Sequence, residues 1–174
     1  MKPAPSVEDS RRSSREPSPH PSNGQHKNAS MTAAEKFRNL LASDKRYDAE
    51  AYNFIYEALD WTLKNVVKAE GRGNQHVTGR ELLEGIRQYA IEQYGCLART
   101  VFESWGVRST ADFGDIVFNL VQHDLMGKQE SDSKEDFRDI YDFDEVFDVS
   151  PILCYHTDRG EWRAAYVSRA DKQS

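Results

Sequence analysis

The chain has 174 residues, with 23 basic and 29 acidic side chains and a net charge of −6. Residues 1–30 hold five bases and three acids, which leaves 18 bases and 26 acids, net −8, for residues 31–174. An acidic body is a poor electrostatic match to nucleic acid, which is bound by neutralising phosphates, and no run reaches the ~18 apolar residues of a membrane span.

The two cysteines, Cys96 and Cys154, form no CxxC. A pair so placed suits a reducing compartment and predicts a cytoplasmic protein. Cys96 follows Gly95 among apolar neighbours, so a buried, inert thiol is expected there. The N-terminus has no apolar segment of the kind that marks a secretory signal.

Residues 1–30 contain five of the six prolines, many serines and one large aliphatic residue after Met1, Val7. Such a segment buries too little apolar surface to offset its ordering entropy, and disorder is expected. It is either a tether with a modifiable Arg11-Arg12-Ser13-Ser14 site or an artefact of a start that belongs at Met31.

From Met31 the pattern becomes helical. Residues 32–42 form a short helix with Phe37, Leu40 and Leu41 on one side. Over 49–69, Tyr52, Ile55, Leu59, Leu63 and Val66 recur at three-to-four spacing, and Gly71 and Gly73 end the run. Thr78-Gly-Arg-Glu81 is a capping box that opens a third helix. Leu82, Leu83, Ile86 and Ala90 form its apolar side, and Gly95 stops it. A shorter helix covers 97–105 and ends at Gly106. Ser109 or Thr110 caps the next, whose buried side is Phe113, Ile116, Val117, Leu120 and Val121.

Residues 125–143 read either as a helix pair or as a β-hairpin with Phe137, Tyr141 and Phe143 alternating with charge. The whole is a mainly α fold, a compact bundle of about five to six short helices over residues 31–148. With the hairpin it has winged-helix order; without it, it is an orthogonal bundle. Residues 149–174 are a C-terminal extension, a marginal hairpin or docked tail, with Thr157–Gly160 between Ile152–His156 and Glu161–Val167.

No nucleotide-binding, hydrolase, zinc-protease or calcium-loop motif is present, so neither cofactor nor metal is expected. At 100° per residue, Asp112, Asp115, Asn119 and His123 fall at about 0°, −60°, −20° and +20°, one polar stripe on a single helix. Asp112, Asp115 and His123 have the chemistry of a metal or acid–base site. The same stripe is also what any amphipathic helix shows to solvent, with Asp favoured near its N-terminus. On a groove-reading helix it lacks Arg or Lys, which disfavours a winged-helix DNA regulator. Segment 130–148 carries nine acids and two bases. Its aromatics, Phe137, Tyr141 and Phe143 among them, either grip a partner or pack inward while the acids stay wet. His76 follows a glycine-rich loop, with no carboxylate indicated beside it.

The segments FIYEALDWT (54–62), HVTGRELLEGIRQYAIEQYG (76–95), ARTVFESWGVRSTADFGDIVFNLV (98–121) and KEDFRDIYDFDEVFD (134–148) resemble an uncharacterised family of short hypothetical proteins from planctomycete- and verrucomicrobia-type bacteria. The resemblance implies a free-standing bacterial protein with a family core near 47–148. It brings no activity and no site residues. The expected function is a non-catalytic protein-interaction or regulatory module with another protein as partner. It would act through the 130–148 region or the 112–123 stripe; the alternative is a metal-dependent enzyme using Asp112, Asp115 and His123.

Overall fold

A computed structural model describes residues 31–67, 71 and 76–168. The Ser/Pro/Arg-rich segment 1–30, the Gly73 stop and the last six residues lie outside the described residues. The fold is mainly helical, with a two-stranded antiparallel hairpin at the C-terminal end.

Four of its helices begin on a side chain that the sequence places there. Helix α1 (Ala33–Ser43) opens on a capping box: Thr32 Oγ1 accepts from the Glu35 N–H, and Glu35 Oε2 accepts from the Thr32 N–H at 2.8 Å. Asp48 caps α2 (Ala49–Thr62) by accepting from Glu50 N–H. The α2 axis continues as a π-helical turn over Leu63–Val67. Helix α3 (Gly79–Tyr94) uses the predicted Thr78–Glu81 box. Helix α5 (Thr110–Gln122) starts at Ser109, whose N–H and hydroxyl both donate to Asp112 Oδ2. Each such cap contributes about 1 kcal/mol by satisfying otherwise orphaned amides. Between α3 and α5, a 3-10 turn over Gly95–Leu97 leads into the short α4 (Ala98–Ser104).

The core closes around Phe102 of α4, which is fully buried. Its ring lies 5.1 Å from Phe113, 5.2 Å from Phe54 and 5.4 Å from Phe147, each edge to face. Aromatic pairs in that geometry gain beyond simple area burial. Helices α2 and α3 make the main helix–helix contact. There Gly85 lets the α3 backbone approach Thr62, whose hydroxyl is returned to Ala58 O at 2.6 Å.

Of the two readings of residues 125–143, the β-hairpin does not form. The described residues there hold a 3-10 turn, Lys134–Phe137, and a single-turn helix, α6 (Phe143–Val146). The reason is a socket for one ring. A Cβ on Gly79 or on Gly114 would each come within 2.8 Å of Phe137, so two glycines on α3 and α5 open the notch that it fills. Ser133 and Asp136 cap the turn that delivers it. Phe143 and Phe147, one helical turn apart across α6, then both turn inward onto Phe102.

The hairpin comes later. Strands β1 (Val149–His156) and β2 (Glu161–Ser168) pair in register from Val149↔Ser168 to His156↔Glu161. They meet at the expected turn, closed by Gly160 N–H donating to His156 O at 2.8 Å. No helix among the described residues is long and apolar enough to cross a membrane.

Candidate functional site

The polar stripe of α5 exists, and it is occupied. Asp112, Asp115, Asn119 and His123 are all half-buried. They face the short connection between α1 and α2. Tyr47 donates its hydroxyl to Asp112 Oδ1 at 2.8 Å. Arg46 Nη1 reaches Asp115 Oδ2 at 2.6 Å, and Lys134 Nζ reaches Asp115 Oδ1 at 2.8 Å. Asn119 donates to Asp44 Oδ2 at 2.8 Å and to the Tyr52 hydroxyl at 3.2 Å. His123 turns aside, its Nδ1 2.9 Å from Asn119 O.

The electrostatics follow from these partners. The Arg46 guanidinium, bonded to Asp44, lowers that carboxyl to about 2, with Asn119 assisting. Burial pushes the Asp115 carboxyl up, but Lys134 and Arg46 together outweigh it and hold it below the ordinary range. Burial, then the bond to Asp112, pushes the Tyr47 phenol well up. Both shifted carboxylates are thus kept ionised as structural acceptors, not poised near neutral pH for proton transfer. Among the described residues no three His, Cys, Asp or Glu side chains gather as a metal set, so Asp112, Asp115 and His123 are not brought together as one.

The aromatics of 130–148 face inward. Phe137 and Phe143 are 3% and 6% exposed. Tyr141 donates its hydroxyl to Leu83 O at 3.1 Å, and burial pushes its phenol up. Asp139, Asp142, Asp144 and Glu145 remain exposed.

Two other features are open. The first is a cleft of about 410 Å³ between the end of α2, residues 76–82, the second half of α5 and the 126–132 loop. Leu59, Leu63, Val77, Val117, Phe118 and Val121 make most of its wall. At its rim His76 Nε2 meets Asp132 Oδ1 at 2.8 Å, while Asp132 Oδ2 takes the Gln129 N–H at 2.7 Å. A carboxylate only accepts, so Nε2 carries the proton of that bond. Lys128, also at the rim, places Nζ 5.6 Å from the centre of the Phe118 ring. Sequence reasoning missed this pairing. Asp132 is 56 residues from His76, and the only local signal is its turn-forming position in Glu-Ser-Asp-Ser.

The second is the C-terminal ribbon. Cross-strand partners point to the same face. One face therefore carries Pro151 with Tyr166, Leu153 with Ala164, and Tyr155 with Trp162. Leu153 is 73% and Trp162 67% exposed, and Tyr155 stacks obliquely on Trp162 at 5.2 Å. At the ribbon base, the Tyr166 ring covers Gly95, whose positive φ of 56° and lack of a side chain make room for it. The same 3-10 turn directs its next two side chains outward. Cys96 is exposed, contrary to the buried thiol expected from its neighbours, and Leu97 is 60% exposed.

In comparisons with known proteins, no family model matches the chain, and no curated protein or solved structure is similar to it.

Proposed function

We propose that the chain is a non-catalytic protein-interaction module that docks a basic partner protein through its C-terminal ribbon. The single observation that carries this reading is the exposed apolar row of Leu153, Tyr155 and Trp162 on one face of the ribbon. Large side chains left together in water on a two-stranded ribbon cost solvation and add little to the fold. They are the composition of an interface core, and the outer strand edges offer backbone groups to an added strand. The net charge of −8 over residues 31–174 selects a basic partner and steers its approach. The resemblance to a bacterial family, together with the free thiols of Cys96 and Cys154, supports a bacterial cytoplasm as the setting.

The test is retention on the immobilised full chain, comparing wild type with Leu153→Ser/Trp162→Ser. A discrete basic protein is expected on the wild type at low salt, released at high salt and absent from the variant. Retention of the same proteins by both forms, or of none by the wild type at any salt, refutes the reading.

A further inference from the structure

We infer that the cleft bounded by α2, α5 and the 126–132 loop binds a small amphiphile with an apolar body and an anionic head, the head placed at Lys128. This site is separate from the ribbon and does not depend on it. The cleft lies within the ~300–1,000 Å³ of small-molecule sites and has their composition, an aliphatic and aromatic wall with a few polar groups at one rim.

The charge of the head follows from the rim. The body is acidic, and most of its cations are spent on acids: Arg46 on Asp44 and Asp115, Lys134 on Asp115, Arg87 on Glu84. Lys128 has no acidic partner among the described residues, and its ammonium lies against Phe118, a wall residue. The one carboxylate at the rim, Asp132, is already engaged by His76 and by the Gln129 amide. The free valence facing the apolar wall is therefore a cation, and a carboxylate or similar head complements it.

A medium-chain carboxylate and a compact aromatic acid share this chemistry, and the probes separate them. The methionines are Met1, Met31 and Met126, and among the described residues only Met126 lines the cleft. Methyl-labelled methionine thus gives a spectrum in which one resonance reports the site. Octanoate, 2-naphthoate and the neutral 1-octanol are titrated into the full chain, wild type and Lys128→Gln. At least one acid is expected to move the Met126 methyl saturably below about 5 mM, and more tightly than the alcohol. Lys128→Gln, an exposed position that leaves the core intact, is expected to weaken that acid about fivefold and leave the alcohol unchanged. Saturation by octanoate alone assigns an aliphatic body, and by 2-naphthoate alone an aromatic one. The inference is overturned if neither acid moves Met126, if the alcohol binds as tightly as the acids, or if Lys128→Gln changes nothing.

Discussion

Gly85 sits in the middle of α3, where helix propensity alone says that alanine is better by about 1 kcal/mol. The structure predicts the opposite sign. A Cβ on Gly85 would overlap Thr62 Oγ1 and come within 2.9 Å of Thr62 Cβ. Thr62 has no easy way to yield, because it is fully buried and its hydroxyl is tied to Ala58 O at 2.6 Å. The α2–α3 contact must therefore open to admit the methyl. Forcing an extra carbon into a closed core costs about 1–3 kcal/mol, here at the upper end, so Gly85→Ala loses about 1–2 kcal/mol after the propensity gain. Thr62→Ala removes the atoms that clash, at a cost of its own near 1 kcal/mol for lost packing. In that background Gly85→Ala should be neutral or stabilising, so the double-mutant cycle shows coupling of about 1.5 kcal/mol or more. Urea unfolding followed by far-ultraviolet circular dichroism, with an unchanged m-value, measures all four forms. If Gly85→Ala is at least as stable as wild type, or equally costly with and without Thr62, the helix contact is not as described.

Two further outcomes follow from the polar connection and the exposed turn. Asp44 is held at about 2, below its ordinary 3.8, by its bond to Arg46. A depressed carboxyl contributes fully above its unfolded value and loses that contribution as the pH falls through its folded value, here from about pH 4 to about pH 2. The full shift would be worth ~2.4 kcal/mol, and solvent around Arg46 reduces it to roughly 1 kcal/mol. Arg46→Met should remove that acid-limb loss in urea titrations, and an identical limb in the variant would disprove the assignment. Cys96 should react with a thiol reagent in the native state at close to the rate of a free cysteine, ahead of the half-buried Cys154. Silence of both thiols until denaturant is added would place the Gly95–Leu97 turn elsewhere.

What was legible in the sequence was local. The Thr78–Glu81 box, the Ser109 start of α5 and the Thr157–Gly160 turn are each a few residues of chemistry acting on their own backbone. The same signal at Thr32-Ala-Ala-Glu35 was as readable, and opens α1. Period alone misled at 125–143, because alternation of Phe137, Tyr141 and Phe143 with charge says nothing of the glycine socket on α3 and α5. Cys96 misled for a related reason: apolar neighbours in sequence do not determine which way a 3-10 turn points them. The stripe on α5 was correctly placed on one side of its helix. What it faces was hidden, because Asp44, Arg46 and Tyr47 lie more than sixty residues away in the chain. His76 and Asp132 are hidden from each other in the same way.

The division of charge explains where function can reside. Arg46 bridges Asp44 and Asp115, Asn119 ties Asp44 to Tyr52, and Tyr47 closes on Asp112. Six side chains, three from the connection and three from α5, thus fasten the α1–α2 connection to α5, where the backbone contributes no ladder of its own. A half-buried carboxylate left without its cation would carry a desolvation cost greater than any single exposed pair returns, so these groups are committed together. A metal or substrate entering the stripe would have to displace Arg46 or Lys134 from Asp115 before gaining anything. The ribbon face and the Lys128 rim carry no such debt. Their apolar side chains and their cation are already exposed, so a ligand there gains contact without first breaking one, and binding is strongest where the free molecule leaves surface unsatisfied.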